Sequence, residues 1–375
     1  MASCCYSALR LLSGKHRLRH LGARASSSAG PDGVHLSLPA CHELCVKALT
    51  ASGLAPASAG VVADVITAAE RDEARSHGLF RLPGFCRSLR SGRIPGDAEP
   101  QVRDLAPGVL HVDAQGAVAP VALAAGLPRL VERARSQGIA TLAIANAMHF
   151  SALWWEAEEL ASQGLVALVV VNTLAFVAPH GGRSRIFGTN PMAFAWPRPD
   201  GQMPLVWDQA SSVMARGDMA LAMMAGHELQ PGSAVDVDGR PTTDPVRGLE
   251  GAQCTYGGPK GGNIALMVEL LAAGLTGGTL SANSVVPPPS EMNHPGGAPT
   301  ANGELIIAMD PARFPGRSLH AERLFELLEA EAESGARLPS SRRFAARSRT
   351  AEAGIFVPRS IYETIQTMLE PKPAS

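Results

Sequence analysis

IATLAIANAMHFSALWWEAEELASQGLVALVVV, residues 139–171, changes its apolar period twice. Residues 139–145 and 164–171 are short, almost uninterrupted apolar runs, the pattern of strands covered on both faces. Between them, residues 151–163 space their apolar positions as a helix does. The alternation extends outward. A helix over 118–137 precedes this stretch, and strands near 191–196 and 203–207 follow it. Helices over 212–225 and 261–275 then lead to a further strand, GELIIAMD, at 303–310, and helices near 317–335 and 358–369 finish the chain. The order predicts a mixed α/β body.

Upstream, the run SAGVVADVITAAERDEARSHG places Val61, Val62, Val65, Ile66 and Ala69 at helical spacing. That helix is predicted to end near Arg75 and to deliver Ser76 and His77 at its exit. An Arg-rich helix over 81–96, closed by Gly92 and Pro95, comes next, and a short strand, VLHVDAQG, opens a second region. The Pro- and Gly-rich segment 281–302 reads as a surface loop. The longest apolar stretch, Leu165 to Ala178, is interrupted by Asn172 and Thr173. It falls short of the roughly 18 to 20 apolar residues that a membrane span requires, so no membrane association is expected.

Charge narrows the function classes. Five basic residues and no acidic ones fall in residues 1–31, whereas the rest of the chain carries 28 basic against 34 acidic residues. Nucleic-acid binding needs clustered positive charge on the folded part, and that balance argues against it. The first 31 residues, with Arg10, Lys15, Arg17, Arg19, Arg24 and a terminal serine cluster, have the composition of an organelle-targeting presequence. The expected address is the mitochondrial matrix, with plastid or cytoplasm as the alternatives. Six scattered cysteines form no CxxC pair. Cys41 and Cys45, at i, i+4 around His42, read as a packed helix face, and no metal site is expected.

Neither GxGxxG after a strand nor GxxxxGK followed by Ser or Thr is present. A dinucleotide would therefore be cradled by other loops, and PHGGRSRIFGTNP, YGGPKGG and the 281–302 loop offer backbone amides. SHGLFRL at 76–82 brings a hydroxyl, an imidazole and, at Arg81, a guanidinium together at a helix exit. Imidazole suits proton transfer near neutral pH, and Arg suits two-point capture of a carboxylate. HFSALWW at 149–155 follows a strand and opens a helix, which sets His149 beside helix N-terminal amides.

Read in order, SHGLFRLPGF, HFSALW, VNTLAFVAPHGGR, FGTNPMAFAWP, DQASSVMARGD, DVDGRPTTDP, GGPKGGNIALMVELLAAGLTGG and AMDPARF resemble the malate/L-lactate dehydrogenase family that lacks a Rossmann fold. The resemblance spans roughly residues 38 to 370. Within the family, the HFSALW form and the RGD at 216–218 are most similar to the delta-1-piperideine-2-carboxylate/delta-1-pyrroline-2-carboxylate reductases; many hydroxy-acid members carry Lys where this chain has Asp218. The chain departs from the family pattern at Pro259, before Lys260.

The resemblance implies an α/β fold whose non-Rossmann NAD(P)-binding domain has a mixed, largely antiparallel sheet, with a helical domain formed from both chain ends. It divides the chain into 1–31 as presequence, 32–110 with 311–375 as the helical, substrate domain, and 111–310 as the cofactor domain. It also implies a homodimer, NADPH as cofactor with NADH as the alternative, and a cyclic imino acid as substrate. Ser76, His77 and Asp218 fall on the catalytic relay and Arg81 on the substrate carboxylate. His149, Phe150, Ser151, Ala152, Leu153, Thr189 and Lys260 fall on positions lining the cofactor. Asp208 is a second candidate partner for His77. The implied reaction is reduction of a cyclic ketimine carboxylate to pipecolate or proline. The alternative is a 2-hydroxy-acid dehydrogenase acting on malate, lactate, ureidoglycolate or sulfolactate.

Overall fold

The structure, a computed structural model, describes residues 32–148, 151–199, 201–284, 302–316, 318–332 and 334–369. The chain runs β1 (Gly33–Leu36), α1 (Leu38–Ala51), α2 (Pro56–Arg71), α3 (Leu82–Arg90), β2 (Gln101–Ala106), β3 (Val109–Asp113), α4 (Ala119–Gln137), β4 (Ile139–Ala145), α5 (Leu153–Ser162), β5 (Val166–Val171), β6 (Met192–Trp196) and β7 (Leu205–Gln209). It continues with α6 (Arg216–Ala225), β8 (Ala234–Val235), β9 (Pro241–Thr242), α7 (Pro245–Glu250), β10 (Ala252–Gln253), α8 (Pro259–Glu269), β11 (Glu304–Met309), α9 (Ser318–Ala332), α10 (Ser341–Ala353), β12 (Ile355–Pro358) and α11 (Arg359–Gln366).

The main sheet has the order β2-β3-β4-β11-β5-β6-β7, and only its β3–β4 pair is parallel. The late strand β11 is inserted between β4 and β5, so the two strands of the 139–171 stretch are not neighbours. Alternation explains why these strands are apolar throughout. Leu142 and Ile144 of β4, Ala167 and Val169 of β5, and Ile306 and Ala308 of β11 face a core shared with α4 and α5. Ala143, Val170 and Leu305 point the other way, onto Val268 of α8 and Ala272 beyond it. Both faces of the central strands are thus buried. A non-Rossmann, largely antiparallel sheet is what the motif order implied.

A second core is built from α1, α2 and α3 together with Ile355 and Val357 of β12 and Ile365 of α11. The antiparallel pair β1–β12 ties the two ends of the described chain together. Cys41, Cys45 and Cys86 lie in this core with no exposed surface, as packed helix residues. Among the described residues, no helix is long and apolar enough to cross a membrane.

Three local expectations need correction. The helix before Ser76 stops at Arg71, four residues early, because Glu73 adopts a left-handed φ of 55° and breaks the ladder. The 212–225 helix starts only at Arg216. Helix α10, absent from the sequence reading, buries only Ala346 and Thr350 and so lacks an apolar stripe. Ion pairs hold it instead. Arg347 reaches both oxygens of the fully buried Asp72 at 2.7 Å and both oxygens of Glu158 at 2.6 and 2.7 Å.

Candidate active site

Residues 75–77 form a short 3-10 turn between α2 and α3. The buried Glu70, on the last turn of α2, fixes it by accepting the Leu79 N–H at 2.7 Å. Gly78 is required beneath it, since a Cβ there would lie 2.2 Å from Glu70 Oε1. The turn presents Ser76 Oγ to His77 Nδ1 at 3.1 Å, leaving Nε2 as the ring's other site. Arg81 follows as the residue preceding α3.

The His77 ring is crowded by protein yet keeps an exposed edge toward cavity solvent. Desolvation first, and the nearby Arg81 charge second, lower its pKa to about 4. The imidazole is therefore neutral at pH 7. A small cavity on one side of it is lined by Arg81, Phe85, Pro120 and Ser151. On its other side lies a cavity of about 760 Å³ walled by Trp154, Trp207, Asp208 and Arg343. Arg343 stacks 4.7 Å from the Trp154 ring centre and pairs with Asp208 at 3.4 Å.

No hydrogen bond or ion pair joins either candidate carboxylate to His77 among the described residues; its ring partner is Ser76. Asp218 is exposed in the first turn of α6, whose apolar side packs against α7. Asp208 shares the larger cavity with His77, its carboxyl raised by desolvation against the opposing pull of Arg343. The geometry does not bring Asp218 to the imidazole, in contrast to the relay that the resemblance implied.

The residues mapped to the cofactor separate into three groups. His149 and Phe150 lie outside the described residues. Ala152 and Leu153 are 2% and 3% exposed and belong to the sheet core. Ser151 opens onto the small cavity, whereas Thr189 stands on the loop before β6 and Lys260 in the first turn of α8. Thr189 Oγ1 lies 3.1 Å from Thr173 Oγ1, and its N–H donates to that same hydroxyl at 2.9 Å. Ser211 N donates to Thr189 O at 2.7 Å, and Tyr256 N donates to Ser211 O at 3.1 Å, which links the Thr189 loop to the start of α8.

Helix α8 begins after Gly257 and Gly258, both at positive φ, with no side chain capping its first turn and with Lys260 exposed there. Uncapped helix amides beside a lysine suit phosphate groups, so the donor set fits a pyridine dinucleotide. Trp154 and Thr173 lie within the HFSALW and VNTLAF segments but have no role assigned there, and Arg343 carries no sequence signal, since each acquires its neighbours only through folding.

The fold and this site define an oxidoreductase without a Rossmann motif, and the chain belongs to the malate/L-lactate dehydrogenase family, whose model matches residues 36–366. It is 46% identical over 339 residues to the delta(1)-pyrroline-2-carboxylate/delta(1)-piperideine-2-carboxylate reductase of Pseudomonas aeruginosa, covering 90% of this chain and 100% of that protein. To the delta(1)-pyrroline-2-carboxylate reductase of Pseudomonas fluorescens it is 47% identical, covering 90% and 99%. The crystal structure of delta1-piperideine-2-carboxylate reductase from Pseudomonas syringae pv. tomato superposes with a TM-score of 0.81 at 40% identity, over 89% of this chain and 99% of that one.

Proposed function

We propose that this protein reduces cyclic ketimine carboxylates, delta-1-piperideine-2-carboxylate to pipecolate and delta-1-pyrroline-2-carboxylate to proline, with NADPH as the reductant. The observation that carries the reading is the Ser76–His77–Arg81 turn, which sets a neutral imidazole and a guanidinium on one cavity. Arg81 takes the substrate carboxylate at two points. That carboxylate, once bound, favours protonated His77, so proton uptake is coupled to substrate binding. Ser76 holds Nδ1 and directs Nε2 toward the substrate nitrogen, where the ring manages the one proton the reduction consumes. When bound, a reduced nicotinamide supplies the hydride.

The first turn of α8 with Lys260, and the Thr173–Thr189 pair, are assigned to holding the dinucleotide. The active unit is a homodimer. Residues 1–31 direct it to mitochondria, a reading supported by their five basic residues and by a family match that starts at residue 36. Cofactor oxidation measured with the two cyclic imino acids, pyruvate and oxaloacetate tests the reading. Preferred turnover of an imino acid with NADPH is expected; preferred turnover of pyruvate or oxaloacetate would overturn it.

A further inference from the structure

The proposed chemistry needs two parts of the molecule held in register. His77 follows the exit of α2, whereas the threonines assigned to the dinucleotide stand on the sheet, Thr173 just after β5 and Thr189 just before β6. Helix α5 is packed onto that sheet, with Trp154, Ala157, Leu160 and Ala161 in one core with Val169 of β5 and Ala193 of β6. Helices α2 and α5 therefore carry the two parts.

Packing between these helices is interrupted. Asp64 and Arg71 of α2, with Trp155 and Glu159 of α5, line a cavity of about 550 Å³. Asp72, at the end of α2, and Trp154 of α5 line the cavity of about 760 Å³. The Arg347 guanidinium of α10 spans the gap. Its Nε and Nη2 donate to the two oxygens of Asp72, both at 2.7 Å, and its Nη1 and Nη2 to those of Glu158 on α5, at 2.6 and 2.7 Å. The Asp72 side chain has no exposed surface, and those of Arg347 and Glu158 keep only 15% and 16%. Every nitrogen of the planar fork is engaged, so it fixes both the separation and the angle of the two carboxylates. Thr350 Oγ1, on the same helix, adds a second hold on α2 by donating to Arg71 O at 2.9 Å.

We propose that Arg347 is a positioning residue for the hydride transfer: acting through Asp72 and Glu158, it sets the His77 turn at the distance from the dinucleotide loops that the reaction requires. A misplacement of about 1 Å by a residue far from the chemistry costs about 100-fold in rate. The inference rests on the assignment of proton transfer to His77 and of the dinucleotide to the Thr173–Thr189 pair and the first turn of α8.

The test cuts the bridge at α5. In Glu158→Leu the buried Asp72 keeps both Arg71 and Arg347, so its charge stays compensated. Full-length wild type, Glu158→Leu, Glu158→Gln and Arg347→Lys are compared by steady-state kinetics, with folded sites counted by NADPH fluorescence titration. In Glu158→Leu, kcat per folded site is expected to fall about tenfold or more, while KM for the imino acid and Kd for NADPH stay within about threefold. Glu158→Gln, which keeps an acceptor for the guanidinium, should recover most of that loss. Arg347→Lys retains the charge without the fork, should show the same split, and carries the test if the leucine variant does not fold. A bridge with a purely structural role would reduce the number of folded sites and leave kcat per site unchanged. A kcat per site within about twofold of the wild type, or a loss that KM or Kd accounts for, would overturn the inference. Absent imino-acid turnover by the wild type would fail the imino-acid reading and not this one, since the split is then read with pyruvate or oxaloacetate.

Discussion

His77 illustrates how far a single residue's surroundings reset its chemistry. Its folded pKa of about 4 lies below the ordinary 6.5, so between those values an unfolded chain binds a proton that the folded chain refuses. The contribution of neutral His77 to stability is present above pH 6.5 and is lost as the pH falls toward 4. An NMR titration of the imidazole is expected to show a midpoint near 4 in the free protein. In Arg81→Gln the midpoint should rise only part of the way to 6.5, because desolvation is the larger cause and the Arg81 charge the smaller. A midpoint unchanged from 6.5 in the wild type would remove the physical basis for coupling protonation to substrate binding. Ser76, His77 and Arg81 were all legible in SHGLFRL because the turn that unites them is local. The partner of Nδ1 was not, since a hydroxyl next in sequence and two distant carboxylates compete, and only geometry ranks them.

At the scale of elements, strands and helices with an apolar period were readable and those held by charge were not. Strand β4 coincides with its expected range, 139–145, and α4 begins one residue inside its own. Helix α10 offers SRRFAARSRTAEA, a sequence with no core-facing stripe, and folds against α2 through Arg347. Removing that guanidinium leaves Asp72 with only Arg71 at 2.8 Å and strips Glu158 of its partner. Arg347→Ala is therefore expected to cost about 2 to 4 kcal/mol, below the upper range for a broken buried pair because Arg71 remains. Urea denaturation measures the loss; a change under about 0.5 kcal/mol would show that α10 docks by other contacts.

For the whole molecule, every side chain assigned to the site among the described residues lies between Ser76 and Arg343, outside the proposed presequence of residues 1–31. A chain lacking them is expected to retain its melting temperature and turnover. Fused to a fluorescent protein, they should reach mitochondria, and exchange of their five basic residues for glutamate should leave the signal diffuse. A diffuse signal from the unaltered segment would reject the targeting role. The sequence by itself determined what rests on local chemistry: the apolar runs, the Ser76–His77–Arg81 turn, the absence of a Rossmann glycine motif and the ordered family motifs. Tertiary structure alone decided the rest. It inserted β11 between β4 and β5, set Asp208 rather than Asp218 in the cavity wall with His77, and buried Ala152 and Leu153. The physical reason is separation along the chain: β11 begins at Glu304, some 130 residues beyond the end of β5 at Val171, and no periodicity or spacing encodes which distant strand closes a sheet.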